Sequence, residues 1–532
     1  MKKSWFLLCL LLPLLLFAQG VGQNIPGDPM PEDEYDENEE LEYGIGGRLG
    51  TVTHNGVSYT QIRLFPQLNI GKFGFGLDID LLIDAQGKVD KEYWDDWQDY
   101  LNKVFFIRWG NRRDPFYFKA GCIPEYTLGH GLIFDHFSNM LRYPTVKNVG
   151  SYMGINLPLS GLGLEAYTHN IHKNEILAAR VHGRPFEYLN VPLVENMKIG
   201  INVGRDRNQY GKYPDSDGDG IPDVYDMFPK DKNSWLDTDG DGIPDDQDFD
   251  INGNGIIDHP NDNAHVWNWL GLEPGEDVTE LYPHLVFDDD FFQDVAESLP
   301  SKKAVNIYSV DYTLPILEND MLHLDHYAEL AIIDGYGNGI IFPGFSASFA
   351  FIDAKLEFRN FSDEFIPGYF DRIYDEQRSR VRIVQDGEKS IYSLYGKEEL
   401  LKSSKAGLGW FGYLRANIAN IGYVKLAYQD MYGEQSNMGK SVWANATLSP
   451  AVVPKLKEAG LYYSQAYVPY IDFRRPRNSA AALSGKLVWE VSENSNLVAR
   501  YSETYNDQNG DGIIKGKDEI ISSFGMSIEF SF

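Results

Sequence analysis

An all-β fold, an antiparallel transmembrane β-barrel of roughly 16 to 20 strands interrupted by one acidic insert, is what the sequence predicts, on three observations. From Tyr43 onward the chain breaks into segments of about ten residues in which apolar and polar side chains alternate, the period of a strand with two unlike faces. The composition is rich in Tyr (33), Phe (30), Trp (10) and Gly (51). Yet past the first residues no run reaches the ~18 apolar positions that a membrane helix needs. Short turns such as 71–72, 111–114, 160–161, 318–320 and 493–495 alternate with long excursions over 85–101, 123–147, 205–300, 361–405 and 506–519. That asymmetry belongs to a barrel whose two rims face different compartments.

Residues 1–20 have the three parts of a secretory signal peptide: Lys2 and Lys3, an apolar run from Trp5 to Phe17, and small residues around Ala18-Gln19-Gly20. Export is therefore expected. Cys9 falls in that run, which leaves Cys122 as the lone mature cysteine and allows no internal disulfide. Residues 21–42, with Pro26, Glu32-Asp33-Glu34 and Glu39-Glu40, read as an acidic disordered lead-in.

The first half of the barrel is expected over 43–204. Phe73, Phe75, Leu77, Ile79, Leu81 and Ile83 share one face, while Gly74, Gly76, Asp78, Asp80 and Asp84 share the other. In lipid the apolar face turns outward and the aspartates line a lumen. The loop from Thr127-Leu128-Gly129-His130-Gly131 to His136-Phe137-Ser138-Asn139 is read as folding into that lumen. It holds His, Ser and Asn, but no catalytic motif frames Ser138, so the protein is not read as an enzyme. Arg108, Arg112, Arg113 and Lys119 stand nearby, either along a pore or at the membrane face.

An extracellular insert is placed at 205–300, and within 213–260 it repeats one pattern. Asp215-x-Asp217-Gly-Asp219-Gly-Ile221-Pro-Asp223-x-x-Asp226 recurs as Asp237-x-Asp239-Gly-Asp241-Gly-Ile243-Pro-Asp245-x-x-Asp248, then as Asp250-x-Asn252-Gly-Asn254-Gly-Ile256-Ile257-Asp258. Oxygen ligands at positions one, three, five and twelve, a glycine at six and a carbonyl at seven are what a cation of calcium's size requires. Several Ca2+ ions are expected, with Asp223, Asp245 and Asp258 at position nine acting directly or through water. Pro222 and Pro244 sit inside the first two loops and argue against the flanking helices of an EF-hand. Tandem loops of this kind resemble thrombospondin type 3 repeats. The resemblance covers this segment alone and implies calcium ions strung along a chain with little apolar core. The cysteines of the animal repeats are absent, so the metal must hold the fold: fourteen aspartates here face only Lys230 and Lys232. Beyond the repeats, Trp267, Trp269 and the stretch 276–285 suggest a small helical pack.

The second half of the barrel is expected over 301–532. His323 and His326 lie three apart in a strand and so point to opposite faces, which argues against a shared zinc. Asp334-Gly335-Tyr336-Gly337-Asn338-Gly339 reads as a turn. Asp507-x-Asn509-Gly-Asp511-Gly-Ile-Ile-Lys515-x-x-Asp518 repeats the acidic pattern a fourth time, either as a calcium loop weakened by Lys515 or as a plain hairpin turn. At the end Phe524, Met526, Ile528, Phe530 and Phe532 alternate with Gly525, Ser527, Glu529 and Ser531. A last strand of this form resembles the assembly signal of Gram-negative outer-membrane barrels. The resemblance implies outer-membrane lipid and the barrel assembly machinery as partners.

The net charge of −31 excludes nucleic acid as a partner, and the repeats supply fourteen minus two, or twelve, of those charges. The expected location is the bacterial outer membrane with the insert at the cell surface. The expected function is a surface structural or adhesion protein with an extracellular partner. The alternative is a porin for small polar solutes, its lumen lined by Asp78, Asp80, Glu165, Lys355 and Glu357.

Overall fold

The computed structural model describes residues 42–531 except 55–56, 90–93, 95–96, 113, 141–146, 214, 220, 224–225, 261–262, 273–275, 289–303, 320, 387–388, 419–420, 434–438, 475–480, 493, 506–513 and 515–518. The signal peptide, the lead-in, the Asp507, Asn509, Asp511 and Asp518 loop and Phe532 lie outside the described residues. Two units form by their internal contacts: Met1–Asp206 with Val305–Asp375 and Leu400–Phe532, and Arg207–Ala304 with Glu376–Glu399.

The first unit is a closed, 20-stranded antiparallel β-barrel. Its strands are β1 (Glu42–His54), β2 (Val57–Ile70), β3 (Phe73–Leu77 continuing as Ile79–Ile83), β4 (Val104–Trp109), β5 (Phe116–Gly121), β6 (Gly150–Asn156), β7 (Gly163–Thr168), β8 (Ile176–Gly183), β9 (Lys198–Asp206) and β10 (Val305–Glu318). The series continues with β11 (Leu322–Ile333), β12 (Asn338–Phe349), β13 (Ile352–Phe361), β14 (Gly407–Ile418), β15 (Gly422–Tyr432), β16 (Lys440–Leu448), β17 (Leu456–Val468), β18 (Ala481–Ser492), β19 (Ser495–Tyr505) and β20 (Ile520–Ser531). Each strand pairs with its sequence neighbours. The barrel closes where Gly46–Leu49 of β1 registers against Ile528–Ser531 of β20, so no edge is left for another chain to extend.

Residues paired across strands share a face. The run Lys198, Thr313, Tyr327, Gly344, Glu357, Phe411, Gln429 and Ser441 circles the inner wall through successive pairings. The run Ile201, Val310, Leu330 and Ile340 lies on the outside, where Ile201, Val310 and Leu330 are exposed. Leu408, Leu414, Leu426, Phe524, Met526 and Ile528 continue this exposed apolar surface around the cylinder. A surface of that extent is stable only against hydrocarbon. Aromatic side chains mark both rims. Trp109, Phe116, Phe349 and Phe351 sit at the end that carries the first and last strand termini, and Trp410, packed 5.2 Å from Tyr428, with Tyr432 sits at the other.

The longest connections fall at one end, as the alternation predicts, but the sorting is not complete. At the terminal end most are short, among them 71–72, 110–115, 157–162, 319–321 and 350–351, while 184–197 is long and holds the 3-10 turns Glu187–Leu189 and Val194–Asn196. The opposite end carries 84–103, 122–149, 207–304 and 362–406, together with the short 169–175 and 334–337. Gly71, at φ +51, makes the tight β2–β3 turn. The 334–337 segment is the expected turn, with Gly335 at φ +78. Asp78 breaks β3 in two: its carboxylate turns inward to Arg63, and its N–H bonds to Lys103 O at 2.7 Å.

In the second unit the first two acidic loops carry no helix among the described residues. A helix, Ala264–Leu270, does follow the third copy, capped by Asn263, whose side chain accepts from the His265 and Val266 N–H groups. With Val278–Leu281 it forms the small helical part expected downstream of the repeats.

Candidate functional site

Loops normally run over a protein's surface because their backbone polar groups need water. The 122–149 loop does the opposite: Tyr126, Leu128, Ile133, Phe134 and Phe137 are fully buried. It satisfies its own polar groups instead. Tyr126 and Phe137 exchange backbone hydrogen bonds of 2.8 and 3.0 Å. The Asn139 side chain accepts from Ile123 N at 2.7 Å and donates to Gly121 O, Asn148 O and His169 O. Ser138 Oγ accepts from Met140 N, and His136 Nδ1 lies 2.6 Å from Asp135 Oδ1. His, Ser and Asn therefore fold this loop, in agreement with its reading as a lumen loop.

One wall residue pins it. The buried Glu329 carboxylate on β11 accepts from His130 N at 2.8 Å, Leu132 N at 3.3 Å and Ser309 Oγ at 2.7 Å. The His130 ring stacks on Tyr327 at 4.2 Å. Gly129, at φ +62, is required because a Cβ there would stand 2.8 Å from Glu329 Oε1. Gly204 on β9 makes room in the same way: its Cβ would meet Ile133 Cγ2 at 2.6 Å. Behind the hook, Arg180 grips Asp311 with two bonds of 2.5 and 2.8 Å, and Asn202 bridges Ser309 and Asp311.

A second loop, 362–375, joins the first. Phe370–Asp371 pairs in parallel with Phe134–Asp135, and the two phenylalanine rings stack at 4.4 Å. Tyr374 Oη donates to Asp206 Oδ2 at 2.8 Å. Arg372 lies 3.5 Å from Glu125 of the first loop. Burial opposes ionisation of Asp135, but His136, with Arg359 and Lys355 of β13, holds its carboxyl below the usual range. On another wall Lys147 Nζ is 2.7 Å from Asp78. The two loops thus reach β3, β9–β11 and β13 and cross the lumen.

Asp78, Asp80, Glu165, Lys355 and Glu357 all face inward, as the sequence predicts. Arg108 faces inward as well, and Arg112 packs on the Tyr152 ring 3.4 Å from Glu165. His323 and His326 fall on opposite faces: His323 bonds Asp325, while His326 stacks on Tyr312 outside. The inner wall is not uniformly packed. Side chains held by the loops, Arg63 and Asp78, are 0% and 1% exposed, whereas Lys486 on β18 and Glu458 on β17 are 33% and 25% exposed. Water reaches the wall on the side of β17–β20 and β1, where Arg48 and Arg500 flank Glu529.

Cys122 opens the first loop, and burial, followed by the charge of Asp78, pushes its thiol up to about 12. Roughly a thousandfold less thiolate than at an ordinary cysteine is expected. Maleimide should leave the folded barrel unlabelled in detergent and label the heat-denatured chain fully; rapid labelling of the folded form would contradict this packing.

In the second unit the residues at positions one, three and five of the first two loops come together. Asp215, Asp217 and Asp219 bring one carboxylate oxygen each within 4.8 Å of one another, and so do Asp237, Asp239 and Asp241. Gly218 and Gly240 both stand at φ +78 at equivalent points. Asp226, at position twelve, is buried, with Oδ2 free of any hydrogen bond; burial, with Asp217, Asp219 and Asp223 adding to it, raises its carboxyl above the usual range. Three convergent carboxylate oxygens in each of the first two loops fit a hard cation, while Asp226 and Asp248, at position twelve, lie outside those groups. The Ile221 and Ile243 N–H groups donate to Asp219 and Asp241, and Asp248 Oδ1 accepts from Asp250 N, which ties the second loop to the third. At position nine, Asp223 accepts from Ser216 N and Oγ, both at 2.7 Å, and Asp245 accepts from Thr238 N and Oγ1. These carboxylates close their loops. Asp258 accepts from Ile251 N, and the third loop's Asp250, Asn252 and Asn254 receive the equivalent turn bonds.

No family model matches the chain, and no curated protein matches it. Among solved structures, a mutant ferric enterobactin receptor from Pseudomonas aeruginosa in complex with enterobactin is similar at 11% identity and a TM-score of 0.38, over 93% of this chain and 81% of that one. OccD3 of the same organism is similar at 11% identity and a TM-score of 0.32, over 97% and 98%. The copper transporter OprC is similar at 10% identity and a TM-score of 0.31, over 94% and 82%. The barrel described above stands on its own strand pairing.

Proposed function

We propose that this chain is an outer-membrane channel for small polar solutes, its lumen narrowed by two in-folded loops. The observation that carries the reading is the two-faced wall. Apolar side chains cover the outside between two aromatic rims, while paired charges line the inside and stay water-accessible along β17–β20 and β1. A barrel of this strand number has room for an aqueous path beside a partial plug. Purified protein inserted into planar bilayers should give discrete conductance steps smaller than those of an open barrel of equal strand number. Bilayers that stay silent after verified insertion would remove this reading.

The connection between β9 and β10 leaves the rim opposite the start of β1 and the end of β20, so an insert carried at the cell surface follows if those strand ends face the periplasm. Its loops would hold calcium through Asp215, Asp217, Asp219, the Ile221 carbonyl and Asp226, and through Asp237, Asp239, Asp241, the Ile243 carbonyl and Asp248. Calcium would neutralise the clustered carboxylates and stiffen a segment with little apolar core. The structural or adhesion role expected from the sequence is secondary, resting on these loops alone.

A further inference from the structure

The third acidic loop is short of charge. The first two offer four aspartates at positions one, three, five and twelve; the third offers only Asp250, with Asn252, Asn254 and Asn261 at the others. One carboxylate and neutral amides make a poor cage for a divalent cation, whose affinity follows the number of ligand charges.

The fold brings in a carboxylate from elsewhere. Phe287–Asp288 pairs in parallel with Ile257–Asp258 at the end of the third loop. This register lays Asp288 against the loop: its Oδ2 accepts from Asn252 Nδ2 at 2.9 Å and from Asn254 Nδ2 as well. Both ligand-position amides thus converge on one oxygen of a residue outside the repeats.

A second observation, independent of that contact, points to a ligand. Asp258 is fully buried, and its Oδ1 has no hydrogen-bond partner. Its counterparts Asp223 and Asp245 have both oxygens satisfied, because position two of their loops is Ser216 or Thr238, whose hydroxyl donates to the second oxygen. In the third loop position two is Ile251, which has no hydroxyl. Asp258 Oδ2 is taken by Ile251 N and Asn263 Nδ2, and Oδ1 is left over. The carboxylates that bear on it electrostatically are Asp250 and Asp288. A buried, unpaired carboxylate oxygen costs heavily unless a cation offsets it.

We infer that Asp288 completes a third calcium site with Asp250, Asn252 and Asn254, backed by the free oxygen of Asp258. The site rests on the calcium reading of the first two loops and extends it to a residue that no repeat contains. On binding, the two asparagines turn their carbonyl oxygens to the ion, and Asp288 exchanges their amide protons for the metal. The ion then fastens the 287–288 strand to the repeats.

The test is calcium stoichiometry by equilibrium dialysis on the full chain in detergent, for wild type, Asp288→Asn, Asp250→Asn and the double variant. Each single variant should bind one ion fewer than wild type, and the double variant should lose no second ion, since both residues serve one site. The ions that remain report that the insert is still folded. An unchanged stoichiometry and affinity in Asp288→Asn would overturn the inference while leaving the first two loops standing. A wild type that binds no calcium would instead overturn the calcium reading itself, and the third site with it.

Discussion

Replacing Glu329 by alanine is expected to free the 126–137 segment from the barrel wall and to raise single-channel conductance severalfold. The carboxylate is the common acceptor for His130 N, Leu132 N and Ser309 Oγ, all in a region closed to water. Removing it leaves three buried donors, and even one unpaired buried donor costs about 1–3 kcal/mol. The loop has a less costly alternative, which is to leave the wall and let water reach those groups. Barrel stability should change little, because the backbone pairing of β11 with β10 and β12 is untouched. Glu329→Gln separates the parts of the effect: its amide oxygen, in the place of Oε2, can still accept from His130 N and Leu132 N and only the acceptor for Ser309 Oγ is lost, so its conductance should lie between wild type and alanine. Equal conductance in all three proteins would mean that the loop is held by its apolar packing alone.

Chelation should have a larger effect, on the second unit. Lys230 and Lys232 lie between the first two acidic loops, in a turn built on Met227 N to Trp235 O and Ser234 N to Asp231 O. A peptide bond in such a turn must unfold locally before a protease can cut it. A bound ion at a hundred times its dissociation constant adds about 2.7 kcal/mol against that unfolding. Trypsin should therefore cut after Lys230 and Lys232 roughly a hundredfold faster in EDTA than in millimolar calcium, with the barrel uncut in both. Equal rates would show that the loops are held without metal.

Much of this architecture was legible in the sequence, for reasons that mark where the rest was not. Phe73 to Ile83 shows its two faces because a strand's period is two, and lipid on one side with charge on the other keeps that period clean. The acidic loops were legible because their aspartates and glycines recur at one fixed spacing. The inward course of the 127–139 loop was expected from its length and place between two wall strands, whereas the need for Gly129, where the loop passes Glu329, shows only in the fold. The partnership of Phe134 with Phe370 left no trace, since two residues of parallel pairing between distant loops have no period to detect. Asp288 was hidden for the same reason: it lies outside every repeat, and only the Ile257–Phe287 register brings it to Asn252 and Asn254. The break at Asp78 was also invisible, because the alternation runs through it unbroken while the backbone turns aside to meet Lys103.

The short parallel ladder between Phe134–Asp135 and Phe370–Asp371 couples the two halves of the obstruction mechanically. Neither can swing aside alone without tearing its partner's hydrogen bonds and unstacking a pair of rings, so passage should switch between two levels with no half-open intermediate. In a current record this would show as a single amplitude, and a solute that dislodges either arm would admit its successors through both.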